Sequence, residues 1–210
     1  MTTDDPLVLS YLWVRRAIGI IGIALPFVLL VGGLVLDGVG VQSSISAYYY
    51  TVVGDVFVGS LCAQGVFLIS YRYRRRDAVL STVAGVLVIL VALLPTAPVD
   101  PTASQSLIGA VHLVCATLYY LSLAYFSYFV FTKTDPERPP TARKLLRNKV
   151  YRTCGAVVVA CLVGAGVTGM LLRDSLGPLH PVFWFETLAG LAFGAAWLIK
   201  GETLLRDRRP

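Results

Sequence analysis

Residues 17–36 read AIGIIGIALPFVLLVGGLVL, twenty residues without a charge, with Arg15 and Arg16 directly before them. A helix rises about 1.5 Å per residue, so such a run covers the ~30 Å hydrocarbon core of a bilayer. It is predicted to be a retained transmembrane helix, with Pro26 as a kink and Gly19 and Gly22 permitting close contact with a neighbour. Five further apolar runs reach a comparable length: residues 52–71, 79–97, 107–132, 150–172 and 181–199. Composition agrees, because 56% of the 210 residues are hydrophobic and only 14% charged, which excludes an ordinary soluble domain. The expected fold is all-α, a polytopic membrane bundle of six transmembrane helices. Residues 1–16 form an amphipathic lead-in, residues 17–200 the bundle and residues 201–210 a basic tail.

The charges orient this bundle. Of the 18 basic residues, all but Arg173 fall before the first run, after the second, around the junction of the fourth and fifth, or after the last. Basic residues collect on the cytoplasmic side of membrane proteins, so both termini are placed in the cytoplasm of a multi-pass protein of the cytoplasmic (inner) membrane. The net charge of +6 is thereby explained by topology. Nucleic acid is not expected as a partner, since no basic helix or aromatic-basic module appears. The connection between the fourth and fifth runs is Pro-rich and then basic, and is expected to be irregular before a short helix against anionic headgroups. Cys62, Cys115, Cys154 and Cys161 lie in apolar runs without a C-x-x-C pair, and read as small buried hydrophobes.

Against this apolar background a few polar groups stand out. The segment QSSISAYYYTVVGDVFVG (residues 42–59) carries Asp55, a carboxylate about one turn inside the second run, where charge is costly. Topology puts Asp55, His112 and Glu186 at one depth, near the outer ends of the second, fourth and sixth helices. Ser46, Tyr49, Tyr50, His180 and Arg173 lie in or beside the outer loops. Together these eight residues are the candidate lining of an outward-opening cavity for a lipid headgroup or small molecule, with Asp55 and Glu186 as anionic anchors. Structural roles compete: Asp55 paired with Arg173, and residues 48–50 as an interfacial aromatic belt. A serine nucleophile would have to be Ser44 or Ser46 with His112 as base, although no G-x-S-x-G elbow or S-x-x-K pair is present. No H-x-x-x-H or H-E-x-x-H spacing occurs, so no metal or cofactor is assigned.

The runs SISAYYYT, DVFVG, FLISYR, ALLPTAP, HLVCA and FWFETL, with the ending AFGAAWLIKGE, resemble a group of bacterial six-helix membrane proteins without an established activity. More distantly the layout resembles the six-span autophagy-modulator and GPI-remodelling membrane proteins, which also carry a fourth-helix histidine. It is similar, too, to the alkaline ceramidase and adiponectin receptor superfamily of zinc lipid-amide hydrolases. Their S-x-x-x-H would fall on Ser46 to Tyr50 and their H-x-x-x-H on His180 to Trp184, so Tyr50 and Trp184 stand where histidine ligands would. That departure argues against zinc chemistry. The leading expectation is a non-enzymatic binding protein, the first alternative an intramembrane lipid amide or ester hydrolase, and the second a channel or proton-coupled transporter.

Overall fold

The computed structural model describes residues 6–72, 75–134, 139–203 and 205, and among these every regular element is helical. The helices are α1 (Pro6–Asp37), α2 (Gly54–Ser70), α3 (Arg75–Leu93), α4 (Ala103–Tyr125), α5 (Ala142–Met170), the four-residue α6 (Arg173–Leu176) and α7 (Pro181–Lys200). Two 3₁₀ turns, Ser46–Tyr50 and Gly177–Leu179, and a π-helical turn, Phe126–Val130, complete the set. Four segments are long and apolar enough to cross a membrane, those built on α1, α4, α5 and α7, which marks the chain as a membrane protein. α2 and α3 are apolar and shorter.

Each long helix packs on its sequence neighbours and α7 returns to α1, so α1, α2, α3, α4, α5 and α7 close into a ring. Small residues bring the backbones together where the ring closes. A Cβ on Gly194 would stand 2.6 Å from the Gly19 carbonyl oxygen, and one on Gly190 2.9 Å from that of Gly22. α2 and α3 meet in the same manner at Gly65 and Gly85. Gly190 and Gly194 thus join α7 to α1.

One end of the ring is cationic. Arg15 donates to the Lys200 carbonyl at 3.2 Å and to the Tyr71 hydroxyl at 3.4 Å, tying the start of α1 to the ends of α7 and α2. Lys133 Nζ lies 2.8 Å from the buried Asp77 carboxylate at the start of α3, and Lys144 donates to the Phe131 carbonyl at 3.0 Å. The π-helical turn shapes the core at this end. Its Phe131 N–H donates to Phe126 O at 2.9 Å, and the wider turn lets Phe126 and Phe131 both reach Trp197, with ring centroids 6.0 and 5.1 Å away. A regular α-helix would hold two residues five apart about 140° from one another.

Local signals set the helix ends. α1 stops where Gly38 takes a left-handed φ of 65° and the next N–H, from Val39, donates to Gly33 O at 3.0 Å. α4 starts from a capping box in which Thr102 Oγ1 accepts from Gln105 N and Gln105 Oε1 accepts from Thr102 N. Replacing Thr102 by Ala is expected to cost about 1 kcal/mol, read as a small drop in the thermal midpoint in detergent. Two boundaries differ from the sequence expectation. The lead-in is continuous with the first span from Pro6 onward, and the short basic helix expected before the fifth span is the opening of α5, which starts at Ala142. In both places good helix formers run into an apolar stretch with no Gly or Pro to interrupt them.

Candidate functional site

The site lies at the end of the ring opposite the cationic one, where the connection from α1 to α2 folds inward. Its 3₁₀ turn is held by local bonds. Ala47 N donates to Ser44 O and Oγ, and Thr51 Oγ1 donates to Tyr48 O at 2.8 Å. Tyr48 is fully buried, packs on Phe183 with centroids 6.0 Å apart, and donates to Gly40 O at 3.0 Å. Burial pushes the Tyr48 phenol further above its ordinary value, so the hydroxyl is the donor in that bond. With Tyr48 inserted as a plug, Ile45 and Ser46 are carried over the ring's interior.

Two long-range hydrogen bonds fix this turn to the helices. Glu186 Oε2, one turn into α7, accepts from Ile45 N at 2.6 Å. Ser46 Oγ lies 3.0 Å from His112 Nε2 on α4, while His112 Nδ1 lies 2.6 Å from the Leu94 carbonyl oxygen just beyond α3. A carbonyl only accepts, so Nδ1 carries a proton, and in the neutral imidazole Nε2 then accepts from the Ser46 hydroxyl. Ser46 and His112 are 8% and 5% exposed, so the pair is shielded from bulk solvent.

Beneath the turn is a central cavity of about 60 Å³ walled by the turn and by α1, α2, α3, α4 and α7. Its polar lining is Ser46, Gln64, Tyr119, Tyr120 and Glu186. Gln64 is 2% exposed, and neither its amide nor the Tyr119 and Tyr120 hydroxyls hydrogen-bond to the protein among the described residues. Buried polar groups nearly always find partners, so these donors are set to meet water or a ligand. A second cavity, about 370 Å³, runs between α4, α5 and α7 with mostly apolar walls. Ala116, Tyr120 and Glu186 line both.

The structure gathers part of the expected set. Ser46, His112 and Glu186 come together around Ile45 and Ser46. Asp55 does not join them: it is exposed in the first turn of α2 and lines neither cavity. Its place follows from helical phase, because Phe57, Leu61, Gln64 and Leu68 are the buried face and Asp55 lies about 160° from Phe57. Tyr49 packs partly buried against the core, and Tyr50 is half exposed, donating to the Thr96 carbonyl at 2.7 Å. His180 takes a left-handed φ of 49° at the start of α7 and lines neither cavity. The Arg173 side chain lies outside the described residues. Among the described residues no three His, Cys, Asp or Glu are placed to hold a metal. Gln64, Tyr119 and Tyr120 were not among the expected lining, although the 57, 61, 64, 68 series already puts Gln64 on the inner face of α2.

Fold and site thus define a helical membrane protein with a small cavity inside a ring of helices, lined in part by polar side chains, and a mostly apolar groove between α4, α5 and α7. The chain matches no protein-family model, no curated protein and no solved structure. The resemblances drawn from its motifs therefore gain no support from other proteins.

Proposed function

We propose that this protein binds a membrane lipid, its acyl chain in the groove between α4, α5 and α7 and its polar end in the central cavity. The observation that carries this reading is that Tyr120 and Glu186 line both cavities, so the mostly apolar groove has hydrogen-bonding groups in the wall it shares with the central cavity. A mostly apolar groove with a few hydrogen-bonding groups in one wall suits an amphiphile better than a small polar solute. The topology we infer is six spans with both termini in the cytoplasm of an inner membrane. α2 and α3, with 17 and 19 residues, would extend about 26 and 28 Å, close to the ~30 Å hydrocarbon thickness. Arg15, Lys133, Lys144 and Lys200 share one end, as cytoplasmic basic residues do. The central site then faces the outer leaflet.

A test uses Gly166, which lines the groove and has open space where a Cβ would stand. Gly166→Phe should fill the groove without disturbing the helices. Wild-type protein purified in mild detergent is expected to retain about one lipid per chain by native mass spectrometry, and the variant to retain at least about five-fold less, roughly 1 kcal/mol of lost binding. Equal lipid content in the two proteins, or none in the wild type, would remove the reading.

A further inference from the structure

We propose that Ser46 and His112 are an acyl-transfer pair that cleaves the ester of the bound lipid with water as the acyl acceptor, an inference that rests on the binding reading above. Three features carry it. The Leu94 carbonyl, 2.6 Å from Nδ1, fixes the imidazole tautomer and turns the Nε2 lone pair toward Ser46 Oγ at 3.0 Å. That is the relation a serine nucleophile needs to its base, with the base oriented by a third group. Ser46 also lines the central cavity, which shares Ala116, Tyr120 and Glu186 with the groove assigned to the acyl chain. Finally, Gln64 and Tyr119 face the same cavity with donors that the protein does not engage among the described residues, and a developing oxyanion requires such donors. A bond that served only to pin the 3₁₀ turn to α4 would account for the first feature, but would leave the cavity and its unengaged donors without a role.

The chemistry balances without a metal or redox partner. Ser46 Oγ adds to the ester carbonyl carbon as its proton passes to His112 Nε2, giving a tetrahedral oxyanion that accepts hydrogen bonds from the cavity donors. The carbon to alkoxy-oxygen bond then breaks, and the departing alcohol takes the proton from His112. Water next adds to the acyl carbon of the Ser46 ester with its proton going to His112. Collapse returns the proton to Ser46 and releases the fatty acid, so ester and water become acid and alcohol.

The test is covalent trapping with a long-chain alkyl fluorophosphonate on full-length protein in detergent, read by intact mass and peptide mapping. Wild type is expected to gain a single phosphonyl group on Ser46, with loss of fluoride. Ser46→Ala should gain none, and His112→Gln should react at least about 100-fold more slowly. The wild-type arm alone decides the matter if either variant fails to fold. No adduct on the wild type, an adduct on a different serine, or an unchanged rate in the histidine variant would overturn acyl transfer. Lipid retained on the same wild-type preparation separates the two proposals. Lipid without adduct sinks the chemistry and leaves binding intact, adduct without lipid sinks the binding reading, and the absence of both sinks the two together.

Discussion

Gly194→Leu is expected to cost about 3 kcal/mol of stability, the upper part of the usual range for overpacking, and to lower the thermal midpoint in detergent by about 6–12 °C. The reason is that the obstruction is backbone. A Cβ at this position stands 2.6 Å from the Gly19 carbonyl oxygen and 2.5 Å from Ile23 Cγ1, and a leucine adds three more carbons to that space. Neither α1 nor α7 can yield alone, because Gly22 and Gly190 hold the same two helices in contact one turn further along. The strain is relieved only by moving α1 away from α7, which opens the ring at its closing joint. A control separates this from the general effect of adding bulk to a helix. Gly59 on α2 has nothing within 4 Å of its would-be Cβ, so Gly59→Ala should leave the midpoint unchanged or raise it slightly through better helix propensity. Equal losses at the two positions would show that the α1 and α7 contact does not hold the ring closed.

That joint also shows what can and cannot be read from the sequence. Apolar runs of about twenty residues give the helices, because that signal depends on composition within one segment. Pairing does not: Gly19 and Gly194 are separated by most of the chain, and either glycine could serve several neighbours. The site shows the same division. His112 and Glu186 are conspicuous as polar residues in apolar runs, yet Asp55, equally conspicuous, lies on the outer face of α2 while the quieter Gln64 lies inside. Conspicuousness reports the cost of placing a group in a membrane, whereas phase reports the face it occupies. For a short helix starting within one residue of Asp55, phase is decided by the fold of the preceding loop. The Ser46 and His112 contact depends on the same loop, since only the inward turn anchored by Tyr48 brings two residues 66 positions apart to 3.0 Å.

Glu186 is the second residue whose replacement should matter greatly, and two substitutions distinguish how. Its carboxylate accepts from Ile45 N at 2.6 Å, and that N–H has no other acceptor among the described residues. Glu186→Ala leaves a part-buried donor unsatisfied, at about 1–3 kcal/mol, and frees the residue directly before Ser46. A misplacement of about 1 Å can reduce a reaction about 100-fold, so the alanine variant is expected to lose fluorophosphonate labelling of Ser46 by that factor while remaining folded. Glu186→Gln keeps a carbonyl oxygen for Ile45, and should preserve stability to within about 1 kcal/mol and labelling to within about ten-fold. Bound lipid, measured by native mass spectrometry on the same proteins, should fall in the alanine variant, because Glu186 lines both cavities. If glutamine proves as damaging as alanine to labelling and lipid alike, the carboxylate acts on the ligand itself and the tether through Ile45 is secondary. If neither substitution changes either readout, Glu186 belongs to neither the lipid site nor the support of Ser46.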